Sequence, residues 1–276
     1  MDEITVFNCD ILDKNKLKEI MSNVQPDILF HLAAQSKVHR SWEEAENTLR
    51  VNVLGTLCLL EAIRDLRINP TLIVASAAAV YGGSSTPVGE DKEFRPASPY
   101  AVSKVAADYL AGLYGQAYGL RIIRIRPFNI TGPGMVGDAC SDFAKSIVEI
   151  EQGRRKALRV GDLDSVRDIT DVRDAVEALW LIAEKGMPGD VYNLCSGSGY
   201  RIGDLLSKLI NMSSVKVNID QETVRRIVSE DRVQIGDNSK LRDLGWRPRI
   251  TIDKTLLDIL EHYRGIYRGR ALESSG

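Results

Sequence analysis

The chain has few of the residues that build metal centres and disulfide frameworks. It contains four cysteines and three histidines in 276 residues, and the cysteines stand far apart at Cys9, Cys58, Cys140 and Cys195. A structural zinc site needs four ligands of this kind close together, and a disulfide framework needs many cysteines in a short chain. We therefore expect no metal site, and four reduced thiols in a cytoplasmic protein.

Long apolar runs and an excess of one charge are also missing. No segment reaches the ~18 uncharged apolar residues of a membrane span, and the amino terminus MDEITVFNCDILDKNK is charged from its second residue, unlike a secretory signal. The 36 Lys and Arg residues balance 38 Asp and Glu residues, for a net charge of −2. A nucleic-acid surface would need clustered basic residues in excess. The sequence thus predicts a folded protein that binds neither membranes nor nucleic acid.

Short apolar runs alternate with longer helical stretches over the first 130 residues. The longest helical stretch runs from Trp42 to Leu66. Strands that alternate with helices indicate βαβ units and a parallel sheet that is covered on both faces. The sequence therefore predicts a doubly wound α/β domain over residues 1–130. Its expected strands are Ile4–Phe7, Asp27–Ala33, Leu72–Ser76 and Arg121–Arg126.

The pattern changes at the turn Thr131-Gly132-Pro133-Gly134. We expect a smaller lobe over residues 131–270, which also contains returning elements of the first domain, and a frayed tail over residues 271–276. The elements expected in this half are a helix from about Asp142, a strand at Leu158–Val160, a helix at Val172–Glu184, a strand at Val191–Cys195, a helix at Ile202–Ile210 and a last helix from Ile252 to about Tyr267.

The segment SPYAVSK has the features of a helix start that carries an acid/base pair. Ser98 is a good N-cap and Pro99 suits the first helical position, so Tyr100 lies in the first turn. Lys104 is four residues further along, on the same helix face. A neighbouring ammonium and the positive end of a helix both favour a phenolate, and we expect them to lower the pKa of Tyr100. The pair alone is explained at least as well by an ordinary surface contact.

Several motifs stand where predicted strands end. HLAAQ closes one strand, Ala75-Ser76 with Val80-Tyr81-Gly82 closes the next, and RPFN followed by GPG closes a third. In sheets of this type, ligands bind outside the carboxyl ends of the strands. The motifs therefore predict a ligand site at one edge of the sheet, close to the start of the SPYAVSK helix.

With these motifs the chain resembles the extended short-chain dehydrogenase/reductases that act on nucleotide sugars. The resemblance covers nearly the whole chain, from about Val6 to the last helix, and rests on HLAAQSKVHRS, NVLGT, SAAAVYG, SPYAVSK, RPFNITGPG, VRDITDVRDAV, YNLCSG and GWRPR. RPFNITGPG, DFAKSIVEIEQG and VGDLDSVRDITDVRDAV look most like GDP-6-deoxy-4-keto-mannose reductases and GDP-mannose 4,6-dehydratases. The family implies a Rossmann-like domain that binds NAD or NADP, and a carboxy-terminal lobe that binds a nucleotide sugar.

The resemblance assigns roles to matching positions. Tyr100 would be the acid/base, and Lys104 would hold the nicotinamide ribose and lower the pKa of Tyr100. The other residues that it places along the cofactor are Asp10 and Ile11 at the adenine, Ala33, Ala34, Gln35 and Asn52 along the dinucleotide, and Pro127 and Phe128 beside the nicotinamide.

For the substrate, the family pattern implies that Asn129 and Arg167 hold the phosphates of the nucleotide sugar, since a guanidinium matches phosphate geometry. Arg226 is a further candidate for this contact, although the local match is poor. We interpret His31 as a core residue at a strand end, and not as a catalyst. Asp171 and Asp174 are better explained as a helix cap and a first-turn charge.

One departure from the family pattern lies at Ala77. The family has a Ser or Thr four residues before the tyrosine of VYG, where its hydroxyl bonds the reacting oxygen. Here that position is Ala77, and its neighbour Ser76 should point to the opposite side of the strand. Loss of one such donor costs about 10²–10³ in rate. The acidic residue with which the family's dehydratases carry out elimination is also replaced, by Ala78 and Ala79.

A second departure is the missing G-x-x-G-x-x-G fingerprint with its strand and helix. The chain begins where the family reaches its third strand, so Ile4–Phe7 should lack a neighbour and Asp27–Ala33 should be an exposed edge. The pyrophosphate would also lack a helix N-terminus. We expect either a truncated or misplaced start, which we favour, or a chain that has lost tight cofactor binding.

These inferences predict an NAD(P)-dependent reductase that acts at C4 of a 4-keto-6-deoxy-hexose on GDP. The alternatives are a 4,6-dehydratase, a 4-epimerase, or a nucleotide-sugar-binding homologue without turnover. UDP or dTDP sugars stay open as substrates. The resemblance also implies a homodimer through the Trp42–Leu66 helix and the SPYAVSK helix, with Val105, Tyr109, Gly112 and Leu113 on an outer stripe. Burial in the core explains that stripe about equally well.

Overall fold

The computed structural model describes residues 4–221 and 232–273. These residues form two compact units that interleave along the chain. The described residues of the first unit are 4–82, 90–127 and 179–193, and those of the second are 83–89, 128–178, 194–221 and 232–273. Among the described residues, none of the helices combines the length and the apolar run that a bilayer span requires.

The first unit is built on a four-stranded sheet. Its order is β1 (Ile28–His31), β2 (Thr71–Ala75), β3 (Ile122–Pro127) and β7 (Val191–Leu194). β1 pairs with β2 and β2 with β3 in parallel. The β-branched and leucine side chains of TLIVA and IIRIRP suit strands that are buried on both faces. Within the described chain β1 is an edge strand, as the sequence predicts.

Helices cover one face of this sheet. They are α1 (Lys14–Val24), α4 (Gly55–Leu66) and α5 (Pro99–Tyr118). Their apolar sides meet alternate strand residues such as Leu72, Val74 and Ile122 in one core cluster. Ile123, the neighbour of Ile122, points the other way and lies near Gly186, just after helix α7 (Val172–Lys185). A parallel sheet with helices on both faces confirms the predicted α/β class.

The second unit has its own sheet and core. β6 (Val166–Asp171) pairs in parallel with β4 (Asn129–Thr131) and β10 (Val233–Gln234), and antiparallel with β8 (Gly199–Arg201). A separate pair is formed by β5 (Leu158–Val160) and β9 (Ile219–Gln221). The helices are α6 (Ala139–Glu151), α8 (Ile202–Asn211), α9 (Ser239–Asp243) and α10 (Ile252–Glu273), and α6, α8 and α10 pack together around Ile147, Leu205 and Leu260.

The strand predicted at Ile4–Phe7 is wrong. Residues 4–10 have no regular secondary structure, and the side chains of Ile4 and Val6 are 87% and 85% exposed. No described strand pairs with this segment, and an apolar pattern alone does not hold a strand together without a hydrogen-bonded neighbour.

The helix predicted from Trp42 to Leu66 is confirmed over residues 45–66 and wrong at its start. Residues 45–66 are helical throughout, as α3 (Ala45–Leu49), a π-helical turn (Arg50–Leu54) and α4, whereas Trp42 belongs to a separate helix α2 (Val38–Glu43). Helical spacing of the apolar residues continues through these changes, so periodicity alone does not reveal them.

The frayed tail predicted from Ala271 is wrong for its first part. Helix α10 continues past Tyr267 to Glu273, and residues 274–276 lie outside the described residues. Good helix formers in ALE favour this extension over fraying.

Candidate active site

The predicted helix start carries Tyr100 as expected. Ser98 has an extended backbone, with φ −153° and ψ 159°, and its hydroxyl accepts a hydrogen bond from the Ala101 amide at 3.1 Å. Pro99 is the first residue of α5. Because the cap and the proline fix where the helix begins, Tyr100 lies in its first turn and Lys104 one turn later.

Lys104 is bonded to the end of strand β2. Its ammonium nitrogen donates to the carbonyl oxygen of Ala75 at 2.9 Å, and its own carbonyl accepts from the Ser76 hydroxyl at 3.3 Å. The Lys104 residue is 6% exposed. The first bond places the charged end of the side chain at the carboxyl end of the parallel sheet, where the sequence predicts a ligand site, and the second ties the backbone of α5 to the residue after the same strand.

The expectation that Lys104 lowers the pKa of Tyr100 is wrong for this structure. Burial raises the pKa of Tyr100 to about 12 and lowers the pKa of Lys104 to about 8. In both residues loss of water penalises the charged form, and this is the cause of both shifts. At neutral pH Tyr100 is therefore a protonated phenol, ready to give a proton, and Lys104 is mostly an ammonium.

Asn52 connects the loop after β1 with helix α5. Its side-chain oxygen accepts from the Gln35 amide at 2.8 Å, and its side-chain nitrogen donates to the Gln35 carbonyl at 3.0 Å and to the Ser103 hydroxyl at 2.9 Å. The Ser103 hydroxyl in turn donates to the Tyr100 carbonyl at 2.7 Å. Asn52 is 2% exposed and belongs to the π-helical turn. π-helical turns often occur at functional sites because they redirect a side chain.

The residues after β2 bring no hydroxyl to the position that the family pattern assigns to one. Ala77 is buried and extended, and it leads into a 3₁₀ turn (Ala78–Tyr81). Ser76 is also buried, and its hydroxyl is bonded to the Lys104 carbonyl. Ser76 thus supports the helix and does not replace the missing Ser or Thr at position 77.

The remaining cofactor candidates of the first unit lie just before helix α1, just after β1 and at the end of β3. Asp10 is exposed and accepts from the Leu12 amide at 2.9 Å, while Ile11 packs against Gly55 at the start of α4. Ala33 and Ala34 follow β1 and are exposed and half-buried, respectively. Pro127 is the last residue of β3.

The substrate candidates lie in the second unit. Asn129 is exposed, and its side-chain nitrogen donates to the Asp168 carbonyl at 3.0 Å. The Arg167 guanidinium donates to the carbonyl oxygens of Val166 at 3.0 Å and Arg232 at 3.2 Å. Parallel pairing of β4 and β6 puts both candidates in one sheet. Phe128, which is 6% exposed, belongs to the same unit, and Arg226 lies outside the described residues.

The two aspartates interpreted as structural are bonded to the backbone. Asp171 accepts from the Arg173 amide at 2.9 Å, which is the capping contact that the sequence predicts. Asp174 is buried and accepts from the amides of Arg249 and Ile250 at 3.1 and 2.9 Å.

Sequence reasoning missed a buried ion pair in the first unit, one helical turn from Lys104. Asp108 lies one turn after Lys104 and is fully buried, and its carboxylate accepts from the Arg126 guanidinium at 2.9 Å and from Arg124 at 3.1 Å. Arg126 also donates to the Tyr81 hydroxyl at 2.8 Å. The signal was present as a carboxylate four residues after Lys104, on the same face of an otherwise apolar helix surface.

A second missed residue is Asp168 in the second unit. Its buried carboxylate accepts from the Ser196 hydroxyl at 2.7 Å, and from the amides of Ser196 at 2.8 Å, Gly197 at 2.9 Å and Gly236 at 3.2 Å. Burial raises its pKa against the effect of these donors. Asp168 thereby fixes two loops beside β6, the strand that also carries Arg167.

The chain matches one protein family along nearly its whole length. The family model described as GDP-mannose 4,6 dehydratase matches residues 1–259. Among curated proteins, the chain is 35% identical over 265 residues to GDP-6-deoxy-D-mannose reductase of Pseudomonas aeruginosa, which covers 94% of this chain and 87% of that protein. It is 29% identical over 288 residues to GDP-mannose 4,6-dehydratase of Vibrio cholerae, which covers 91% and 76%, respectively.

Two solved structures are also similar to the chain along nearly its whole length. The structure of RMD from Pseudomonas aeruginosa complexed with NADPH is similar with a TM-score of 0.90 and 34% identity, over 96% of this chain and 90% of that chain. UDP-glucose 4-epimerase of Thermus thermophilus in complex with NAD is similar with a TM-score of 0.86 and 26% identity, over 96% and 86%. These likenesses confirm the predicted Rossmann-like fold class.

Proposed function

The chain belongs to the GDP-mannose 4,6-dehydratase family, and from this premise we propose that it is an NAD(P)-dependent reductase that acts at C4 of a GDP-linked 4-keto-6-deoxy-hexose. The observation that carries the proposal is the state of Tyr100. Its protonated hydroxyl makes no hydrogen bond to a described residue, and Lys104 follows Tyr100 by one helical turn. Such a phenol can give a proton to a carbonyl oxygen that gains negative charge.

The residues around Tyr100 fit the nicotinamide and ribose of such a cofactor. Within the described chain the Lys104 ammonium makes one hydrogen bond, to Ala75, although it has three protons to donate. Its other protons suit the hydroxyl groups of a ribose. We propose that the cofactor is held by Asp10, Ile11, Ala33, Ala34, Gln35, Asn52, Tyr100, Lys104, Pro127 and Phe128.

In the proposed reaction the cofactor, when bound, supplies a hydride to C4. Tyr100 gives its phenolic proton to the oxygen on C4, so that the ketone becomes an alcohol and the phenol becomes a phenolate. The Lys104 ammonium would stabilise that phenolate, and such a charge interaction is stronger in a largely buried site than in bulk water. Asn129, Arg167 and Arg226 are the residues proposed to bind the nucleotide and phosphates of the substrate.

Two alanines favour reduction over dehydration. Dehydration needs an acid or base that works on the carbon next to the keto group, and the family's dehydratases have an acidic residue at the positions of Ala78 and Ala79. Methyl side chains cannot transfer a proton. A 4,6-dehydratase is therefore the weaker alternative, and a 4-epimerase is a further alternative that these two positions do not test.

Ala77 favours a second candidate function, a nucleotide-sugar-binding protein without turnover. The missing hydroxyl removes one donor to the reacting oxygen, and Ser76 does not replace it. Tyr100 and Lys104 would then be retained for binding alone. The two functions differ in turnover and not in affinity, so a binding assay cannot separate them.

The test is a turnover assay with the purified chain. We expect oxidation of NADPH or NADH when GDP-4-keto-6-deoxymannose is added, and an NMR spectrum of the product with a new proton at C4. GDP-mannose and UDP-glucose, offered with the oxidised cofactor, test dehydration and epimerisation. Binding of the GDP-sugar without cofactor oxidation would replace the reductase by the binding protein.

We further propose that two copies associate through helix α5. Val102, Tyr109 and Leu113 lie on its outer side and are 47%, 57% and 58% exposed. Of the predicted stripe, Val105 and Gly112 are half-buried instead. Helices α2 and α3 pack beside α5 and add exposed Trp42 and Leu49. Apolar side chains in such a group are typical of an interface.

A cytoplasmic location is also part of the proposal. Cys9, Cys58, Cys140 and Cys195 are all free thiols in the structure. Thiols persist in a reducing compartment. Nicotinamide cofactors and nucleotide sugars would have to be supplied in the same compartment.

A further inference from the structure

His31 is a buried titratable residue that the proposed reaction does not use. It is the last residue of β1 and is 6% exposed. Its ring nitrogen Nε2 lies 2.9 Å from the hydroxyl oxygen of Thr56, which is 2% exposed and follows the π-helical turn in α4. The hydrogen bond between this imidazole and the Thr56 hydroxyl can run in either direction, because either group can supply the proton.

A second contact of the Thr56 hydroxyl determines the direction of this hydrogen bond. Its oxygen lies 2.6 Å from the carbonyl oxygen of Asn52, and a carbonyl can only accept a hydrogen bond. The single hydroxyl proton of Thr56 is therefore donated to Asn52. The contact between Thr56 and His31 then needs its proton from the imidazole, so Nε2 is protonated and donates to the Thr56 oxygen.

A second proton on the ring is disfavoured by its surroundings. Burial lowers the pKa of His31 to about 4, and the positive charge of Lys104 acts in the same direction. His31 is thus a neutral imidazole near pH 7, with a defined tautomer. It adds no second positive charge beside the ammonium that supports Tyr100.

The hydrogen bonds of His31 and Thr56 lead to Asn52, whose side chain contacts both Gln35 and Ser103. The Asn52 carbonyl accepts from Thr56, while the Asn52 side chain holds the Gln35 backbone and the Ser103 hydroxyl. Asn52 belongs to the π-helical turn Arg50–Leu54, where the hydrogen-bond pattern departs from that of a regular α-helix. A fixed donor at its carbonyl stabilises one orientation of that turn.

We propose that His31 is a positioning residue of the active site, which donates from Nε2 to Thr56 and through Thr56 holds the π-helical turn that presents Asn52. Its influence on catalysis passes through Asn52 and Ser103 to the first turn of α5. This inference rests on the proposed function for its catalytic consequence. The tautomer and the hydrogen-bond chain do not depend on turnover.

The first test is an NMR measurement of the histidine side chains near pH 7. The chain has three histidines, His31, His39 and His262, and loss of one signal in His31→Gln assigns the resonance. We expect His31 to be neutral and protonated on Nε2, with a signal that shifts in Thr56→Val. A doubly protonated ring, or a proton on Nδ1 alone, would overturn the proposal whether or not the protein turns over any substrate.

The second test is kinetic. Thr56→Val removes the hydroxyl and keeps the shape, and we expect kcat to fall about tenfold, as the loss of one buried hydrogen bond allows, with KM for the GDP-sugar nearly unchanged. Thr56→Ser keeps the hydroxyl and should retain kcat within about twofold of the wild type. His31→Leu should resemble Thr56→Val, and the double variant should be no worse than either single variant, since both break the same chain.

A matched control is Thr170→Val, because the Thr170 hydroxyl is buried and has no hydrogen-bond partner among the described residues. It should leave kcat unchanged. A Thr56→Val protein with normal kcat and lower thermal stability would make His31 and Thr56 merely structural, and additive effects of the two variants would break the link between them. A wild-type protein without turnover refutes the proposed function, and the NMR result then still decides the hydrogen-bond chain.

Discussion

Lys104, one turn after Tyr100 in helix α5, donates a hydrogen bond to the carbonyl oxygen of Ala75 at 2.9 Å. The bond joins α5 to the last residue of β2 and keeps the amine among protein atoms. Burial there lowers the pKa of Lys104 to about 8 and raises the pKa of Tyr100 to about 12. The arrangement therefore keeps a proton on the phenol until a substrate oxygen takes it.

Replacement of Tyr100 by Phe should abolish the proposed reduction. The variant removes the proton donor and little else, so we expect kcat to fall by about 10²–10⁴, the range for loss of a general acid. Tyr109→Phe on the same helix is the matched control, because Tyr109 is 57% exposed. Steady-state oxidation of NADPH measures both. Equal activity of Tyr100→Phe and the wild type would remove Tyr100 from the mechanism.

The pH dependence of kcat/KM should report Lys104. Its ammonium is fully present well below pH 8 and is lost as the pH rises through about 8, its lowered pKa. Because the ammonium stabilises the phenolate that forms, kcat/KM for reduction should be level at neutral pH and decline above about pH 8. Lys104→Arg keeps its charge, so its decline should move to higher pH. A wild-type profile that stays level well past pH 8 contradicts this role.

Introduction of a hydroxyl at position 77 should increase the rate. Ala77→Ser restores a donor at the place where the family pattern has one, and we expect kcat to rise about tenfold or more. Ala79→Ser adds the same hydroxyl two residues away and serves as the control. Turnover with GDP-4-keto-6-deoxymannose is the measurement. An unchanged rate in Ala77→Ser would mean that position 77 does not limit the reaction.

Asp108→Asn should destabilise the first unit strongly. The variant leaves the buried guanidinium of Arg126 without its carboxylate, and breaking a buried pair in this way costs about 3–5 kcal/mol of the free energy of unfolding. Urea denaturation followed by circular dichroism measures the loss. Glu19→Gln breaks the exposed Lys16–Glu19 pair and should leave the urea midpoint unchanged. Similar midpoints for both variants would show that the buried pair contributes little.

The proposed dimer depends on the outer side of α5. Leu113→Lys places a charge among exposed apolar side chains, and we expect a dimer to become a monomer, since an unpaired charge is costly to bury. Light scattering coupled to gel filtration gives the mass. Leu257→Lys, on the exposed side of α10, is the control and should leave the mass unaltered. A wild-type monomer would exclude the interface.

Local signals in the sequence were enough to predict the residue at which α5 begins. Ser98 and Pro99 define a helix N-terminus by hydrogen bonding and backbone geometry within four residues, so the positions of Tyr100 and Lys104 follow without knowledge of the rest of the chain. The apolar runs likewise located β1, β2 and β3 to within one or two residues. The strand at Ile4–Phe7 failed because a strand needs a partner, and pairing is not a local property.

The sequence by itself determined the fold class and the order of the candidate residues, because periodicity, caps and motifs act over a few neighbours. The tertiary structure alone decided three things: the direction of the Tyr100 and Lys104 pKa shifts, the π-helical turn under Asn52, and the link from Asp108 to Arg126. Each depends on how much water reaches a group and on which distant segment packs against it. Those quantities arise only when the strands and helices come together.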